Sequence, residues 1–131
     1  MGTVLLDTTV VIDLLRGRSA AVNGLRRLMT NGDAPHVCAI NVEETVRGLR
    51  PAEHESAKRL FDGLQVAPLG DAEGWQAGEW RRQYAAMGRT LAQADCLVAA
   101  AAHAIGARLV TGNSKDYPMP ELTVEHWPVG E

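Results

Sequence analysis

The stretch Thr3-Val4-Leu5-Leu6-Asp7-Thr8-Thr9-Val10-Val11-Ile12-Asp13-Leu14-Leu15 decides the fold. Its apolar run stops at an aspartate followed by two hydroxyl residues, and apolar residues return at Val10, Val11, Leu14 and Leu15 with helical spacing. The pattern is that of a buried strand running directly into a helix. Asp7 then stands at the carboxyl end of a strand, where open α/β sheets place their ligand sites.

Downstream, strand and helix signals alternate. Ser19 is expected to cap a second helix, ended by Asn31-Gly32-Asp33. Pro35 breaks helix, and His36 to Ile40 reads as a second strand closed by Asn41, with a helix over Val42 to Leu49. A helix over Glu53 to Leu64 precedes a weak strand at Gln65 to Leu69. Asp71 is expected to cap a long helix with Ala77, Trp80, Tyr84 and Met87 on one stripe, while Trp75 falls off it. Off the stripe, Trp75 is either a partner-binding anchor or part of a helix packed on two sides. Ala92 to Ile105 is alanine-rich on nearly every face, which implies a buried helix. Arg108 to Thr111 and Leu122 to His126 read as the last strands. Four or five strands separated by helical crossovers predict a mainly parallel sheet in a three-layer α/β/α sandwich.

With 131 residues, 46% of them hydrophobic, the chain fits one domain over residues 1–131 with a single core. The apolar stretch around Cys96 to Ala102 is broken by His103 and falls short of the roughly 18 residues of a membrane span. Asp7 and Asp13 interrupt what would be the apolar core of a signal peptide, so a cytoplasmic protein is expected. Cys38 and Cys96 follow no metal-binding spacing and read as free buried thiols, and the four histidines are scattered. A net charge of −3 argues against a general polyanion-binding surface but leaves room for a local patch. Eleven of the thirteen basic residues are arginine, whose planar fork suits phosphate; solvated helix faces are the plainer reading for each group.

Parallel strands all point their carboxyl ends to one edge. Asp7, the Asn41 to Glu44 segment and Thr111 to Asp116 should therefore meet there, with Asp95 in the first turn of the alanine-rich helix beside them. Each acid alone has an ordinary explanation. Asp7 suits a helix cap, Glu44 a capping box with Asn41, Asp95 the helix dipole and Asp116 a turn. Four carboxylates at one edge would repel one another unless a cation held them. An all-oxygen ligand set suits Mg²⁺ or Mn²⁺, whose chemistry at phosphate makes phosphodiester hydrolysis the natural reaction. No histidine or tyrosine stands out in the sequence as a positioned general acid.

At these residues the chain resembles PIN-domain ribonucleases, specifically the VapC-like toxins of toxin–antitoxin pairs. The resemblance rests on four motifs in the family's order: Asp7-Thr8-Thr9-Val10, Glu44-Thr45-Val46-Arg47-Gly48, Asp95-Cys96-Leu97-Val98-Ala99-Ala100 and Thr111-Gly112-Asn113-Ser114-Lys115-Asp116-Tyr117. It implies an acidic quartet of Asp7, Glu44, Asp95 and Asp116 that binds metal and acts in catalysis, supported by Thr9, Thr111 and Asn113. It further implies Mg²⁺- or Mn²⁺-dependent cleavage of RNA, a homodimer, and neutralisation by a small antitoxin in a groove of the N-terminal helices. Arg16, Arg47 and Arg50 are candidates for RNA or antitoxin contact. Thr9 departs from the serine or asparagine more usual in the family. Glu44 is chosen over Glu43 by its spacing to Gly48, and Asp13, about 9 Å along the helix from Asp7, reads as structural. The rivals are a PIN nuclease of RNA processing, a catalytically silent RNA-binding module, and a Mg²⁺-binding receiver domain. A receiver would need an acidic pair after the first strand, and a haloacid-dehalogenase-type phosphatase an acid where Thr9 stands.

Overall fold

The computed structural model of the chain describes residues 2–131. Five strands form one all-parallel sheet: β1 (Thr3–Leu6), β2 (Ala34–Val37), β3 (Gln65–Val66), β4 (Arg108–Thr111) and β5 (Val124–His126), in the order β3-β2-β1-β4-β5. The helices are α1 (Thr8–Leu15), α2 (Ser19–Thr30), α3 (Ala39–Arg47), α4 (His54–Asp62), α5 (Asp71–Ala86) and α6 (Gln93–Ala104). Among the described residues, no helix is long and apolar enough to cross a membrane.

Both faces of the sheet are covered, which is why the central strands are continuously apolar. Val4 and Leu6 of β1 and Val110 of β4 pack with Val10, Val11, Leu28 and Trp127 on one face. Leu5 and Leu109 pack on the other with Trp80, Tyr84 and the buried alanines of α6. This is the expected three-layer α/β/α arrangement. The strand order reverses between β1 and β4, since successive strands are laid outward from β1 in one direction and then in the other. That reversal opens a crevice at the carboxyl ends of β1 and β4.

The second strand lies earlier than expected, and Pro35 sits inside it. Ala34 N–H donates to Gly2 O and Val37 C=O accepts from Ala67 N–H, so odd-numbered residues of β2 face β3. The pairing with β3 begins only at His36↔Gln65, and the N–H that Pro35 lacks faces a side without a partner strand. Consequently α3 starts at Ala39 rather than Val42, with Cys38 as its N-cap; Asn41 accepts from Cys38 N–H at 2.8 Å. Asn41 is thus the capping side chain, and Glu44 lies a turn further into the helix than a capping-box acid would.

Other local expectations also change. Arg18, not Ser19, occupies the N-cap of α2, and the Ser19 hydroxyl donates instead to Glu131 O at 3.0 Å. Gly70 precedes α5 in the position expected of Asp71, with Glu73 accepting from its N–H at 2.7 Å. Met87 lies past the end of α5 and is exposed, off the buried stripe of Ala77, Trp80 and Tyr84. Trp75 is 74% exposed, which removes two-sided packing as its explanation.

The segment after β5 folds back over α1 and α2. Trp127 N–H donates to Thr111 O at 2.9 Å and its ring covers Gly24 of α2, while Gly130 N–H donates to Asp13 Oδ2 at 2.7 Å. Asp13 is therefore a tether for this segment. A methyl at Gly24 would stand 2.5 Å from the Trp127 ring. Gly24→Ala is expected to destabilise the protein by about 1–3 kcal/mol and lower its melting temperature by several degrees. An unchanged melt would contradict the packing of Trp127 on α2.

Candidate active site

Asp7 is the N-cap of α1 and only 7% exposed, and three donors hold its carboxylate. Thr8 N–H donates to Oδ1 at 2.8 Å, while the Thr111 hydroxyl at 2.7 Å and the Tyr117 hydroxyl at 3.0 Å both donate to Oδ2. The cap reading of Asp7 is thus real, but a cap needs one donor and this carboxylate takes three.

Glu44 reaches the same place through a relay. Asn41, fully buried, donates through Nδ2 to Thr8 Oγ1 at 3.1 Å, and the Thr8 hydroxyl donates to Glu44 Oε1 at 2.7 Å. The capping side chain of α3 thereby fixes the start of α1 and aims Glu44. Glu43, by contrast, is exposed and within 4.0 Å of Arg47. Asp95 projects from the first turn of α6, and Asp116 closes a single 3-10 turn, Ser114–Asp116, after β4. That loop is fixed at its root: Asn113 N–H donates to Thr111 Oγ1 at 3.0 Å and Gly112 N–H to Thr9 Oγ1 at 3.2 Å. Gly112 is required there, because a methyl would overlap Val129.

Asp7, Glu44, Asp95 and Asp116, with Thr8, Thr9, Ile12, Arg47 and Asn113, line one open cleft of about 260 Å³. Of the three arginines singled out in the sequence, Arg47 alone lines it. Arg16 lies 3.8 Å from Glu53, and Arg50 is exposed with its backbone N–H on Glu53 Oε1. Sequence reasoning missed three participants, Thr8, Asn41 and Tyr117. Tyr117 is buried against Asp7, where its hydroxyl serves as a hydrogen-bond donor to that carboxylate. A hydroxyl beside the first acid and an aromatic hydroxyl one residue after the last were the available signals.

The electrostatics are those of crowded acids. Burial is the largest influence on Asp7 and pushes its carboxyl above the usual range despite its three donors. Asp95 is pushed up to about 6, first by burial and then by the charges of Asp116, Asp7 and Glu44; these outweigh the helix dipole that favours an acid at its position. Burial and the charges of Asp7 and Asp95 push the Tyr117 phenol well upward, so it stays protonated and donates.

Among the described residues, no three acids, histidines or cysteines converge as a ready-made metal cage. The donor set is instead all oxygen, spread around a cleft wide enough for a cation and several waters of about 30 Å³ each. This fits Mg²⁺ or Mn²⁺, which bind through few carboxylates and retain waters, and does not fit zinc, which prefers a closed set with nitrogen or sulfur.

An all-parallel sheet with four carboxylates lining one cleft at its switch point defines an α/β protein with an acidic crevice where such folds place their ligand sites. Comparison with known proteins gives the family. The PIN domain model matches residues 4–118. Ribonuclease VapC19 of Mycobacterium tuberculosis is 30% identical over 119 residues, 90% of this chain and 95% of that protein. Ribonuclease VapC10 of the same organism is 30% identical over 118 residues, 90% of this chain and 88% of that one. The crystal structure of VapBC2 from Rickettsia felis, bound to a DNA fragment from its promoter, has a chain that superposes with a TM-score of 0.84. The two chains are 22% identical, over 95% of this one and 98% of the other. The chain belongs to the PIN-domain family, among the VapC-like ribonucleases.

The raised Asp95 value has a thermodynamic consequence. A carboxyl raised from 3.8 to about 6 on folding contributes stability that is present below pH 3.8 and lost as pH rises through about 6. At neutral pH the metal-free protein therefore forgoes on the order of 2 kcal/mol, after discounting for partial solvent screening. Asp95→Asn is expected to raise the melting temperature in chelator at pH 7.5 by a few degrees and to flatten its dependence between pH 4 and 6. Melts of the two proteins across that range check this.

Proposed function

We propose that this chain is a divalent-metal-dependent endoribonuclease that hydrolyses RNA phosphodiester bonds, and that it is the toxin of a toxin–antitoxin pair, neutralised by a cognate antitoxin and acting as a homodimer. The observation that carries the reading is the meeting of four carboxylates from four separate elements in one cleft of a PIN-family chain.

Asp7, Glu44, Asp95 and Asp116 would hold Mg²⁺ or Mn²⁺. When bound, the ion supplies an activated water and neutralises charge developing at phosphorus. The chain's own groups do the rest. Thr8, Thr111 and Tyr117 orient Asp7, and Thr8 also orients Glu44. Arg47 stands at the rim, more than half exposed, where its guanidinium can meet an RNA phosphate. Asn113 lines the same cleft from the loop that carries Asp116.

Two further features support the partner readings. An apolar groove of about 430 Å³ runs between α2 and α4, lined by Leu25, Met29, Pro35, Leu60 and Leu64 with Arg59 at its edge. It suits the apolar face of a short helical or extended antitoxin segment. Exposed Trp75 and Met87 on and just after α5 give apolar surface to a second copy of the chain. The solved VapBC structures are toxin–antitoxin complexes of relatives with this fold.

Purified protein is expected to cleave RNA in Mn²⁺ or Mg²⁺ and to stop on addition of chelator. Asp95→Asn is expected to lower the rate by roughly 100-fold or more. Cleavage unaffected by chelator and by Asp95→Asn would overturn the assignment of the site. Arg47→Gln is expected to weaken RNA binding irrespective of sequence and to reduce the salt dependence by about one ion. Binding measured over a salt series checks the latter.

A further inference from the structure

Tyr117 is 4% exposed, and its ring lies in the core beneath the cleft. A buried tyrosine needs a partner for its hydroxyl, and Tyr84 shows the ordinary solution, donating to the backbone oxygen of Pro118 at 3.1 Å. Tyr117 instead donates to Asp7 Oδ2 at 3.0 Å, with Asp95 Oδ1 at 3.5 Å, near the limit of a useful hydrogen bond.

The consequence follows from counting lone pairs. Each carboxylate oxygen offers about two acceptor positions. At Oδ2 both are taken, by the hydroxyls of Thr111 and Tyr117. At Oδ1 one is taken by Thr8 N–H. The single position left on Asp7 belongs to Oδ1. A cation held in the cleft would therefore have one oxygen of Asp7 open to it rather than two.

Cations differ in how they take that restriction. Mg²⁺ and Mn²⁺ favour octahedral sites built from single oxygens. Ca²⁺ is larger, takes six to eight ligands and readily binds both oxygens of one carboxylate. We propose that Tyr117 is a positioning residue that sets metal selectivity: with Thr111 it occupies Asp7 Oδ2, confines Asp7 to one-oxygen coordination and so favours Mg²⁺ or Mn²⁺ over Ca²⁺. This rests on the reading of the cleft as a divalent-cation site.

The test is calorimetric titration of Mn²⁺ and, separately, of Ca²⁺ into chelator-stripped wild type, Tyr117→Phe and Thr111→Val, without RNA. Phenylalanine keeps the ring in the core and removes only the donor. Tyr117→Phe is expected to weaken Mn²⁺ binding by about 10–100-fold, as loss of a partner behind a metal ligand does, and to weaken Ca²⁺ binding less or not at all. The ratio of the two affinities then falls, which a general loosening of the core would not produce. An unchanged ratio overturns the proposal while leaving the nuclease reading intact. Wild type that binds neither ion overturns both. If circular dichroism shows Tyr117→Phe unfolded, Thr111→Val decides, because it frees the same oxygen, and an unchanged ratio there overturns the proposal equally.

Discussion

A carboxylate taken almost wholly out of water must be given donors or a cation, and the fold around Asp7 is arranged to supply the first and to leave room for the second. The strand β1 delivers this acid to the sheet's carboxyl edge, and α1 begins on its side chain. The hydroxyl of Thr111 comes from the neighbouring strand, and that of Tyr117 from the loop beyond it. Two stretches more than a hundred residues apart in sequence are thereby registered on one group. Asp7 N–H closes the same junction from the backbone side, donating to Val110 O at 2.9 Å.

The other acids are positioned less tightly, in keeping with ligands of a hydrated ion. Glu44 depends on the Asn41–Thr8 relay, so the cap of α3 and the start of α1 form a single buried polar network. Asp95 relies on the packing of α6, whose Val98 and Ala99 to Ala102 are all buried. Asp116 rides on a loop held by Gly112, Thr9 and Val129. Burial of Asp95, and after it the charges of Asp116, Asp7 and Glu44, raise its pKa, which is the cost of assembling the acids without metal. The chain thus gives up stability at the place where chemistry is proposed to occur, a pattern common at functional sites.

Much of this was legible in the sequence because β1, β4 and the middle of α6 are buried, and their apolar runs have no reason to be anything else. The second strand and α3 were misplaced by a few residues. Pro35 was read as the helix breaker ahead of the strand, yet it sits inside the strand where β3 does not reach, and a cysteine is an uncommon N-cap whose role shows only once Asn41 is seen to fold back on it. Converging strand ends pointed to Asp7 and to the segments that carry Glu44 and Asp116, while Asp95, on a helix, and the choice of the quartet rested on the resemblance. Tyr117 was not assigned, since its direction depends on a 3-10 turn that aims the hydroxyl inward. Of the two threonines after Asp7, the resemblance pointed to Thr9 alone. In the fold they part, the first serving Glu44 and the second Gly112.

In the proposed function, a divalent cation completes the charge of the cleft. Thermal unfolding of the wild-type chain at pH 7.5, after chelator stripping and then in rising Mn²⁺, tests it without RNA or an antitoxin. An ion that binds only the folded state adds about 2.7 kcal/mol at a hundredfold excess over its dissociation constant, so the melting temperature should climb by several degrees and continue upward with the logarithm of Mn²⁺ concentration. A melting temperature that stays flat through millimolar Mn²⁺ would contradict the account.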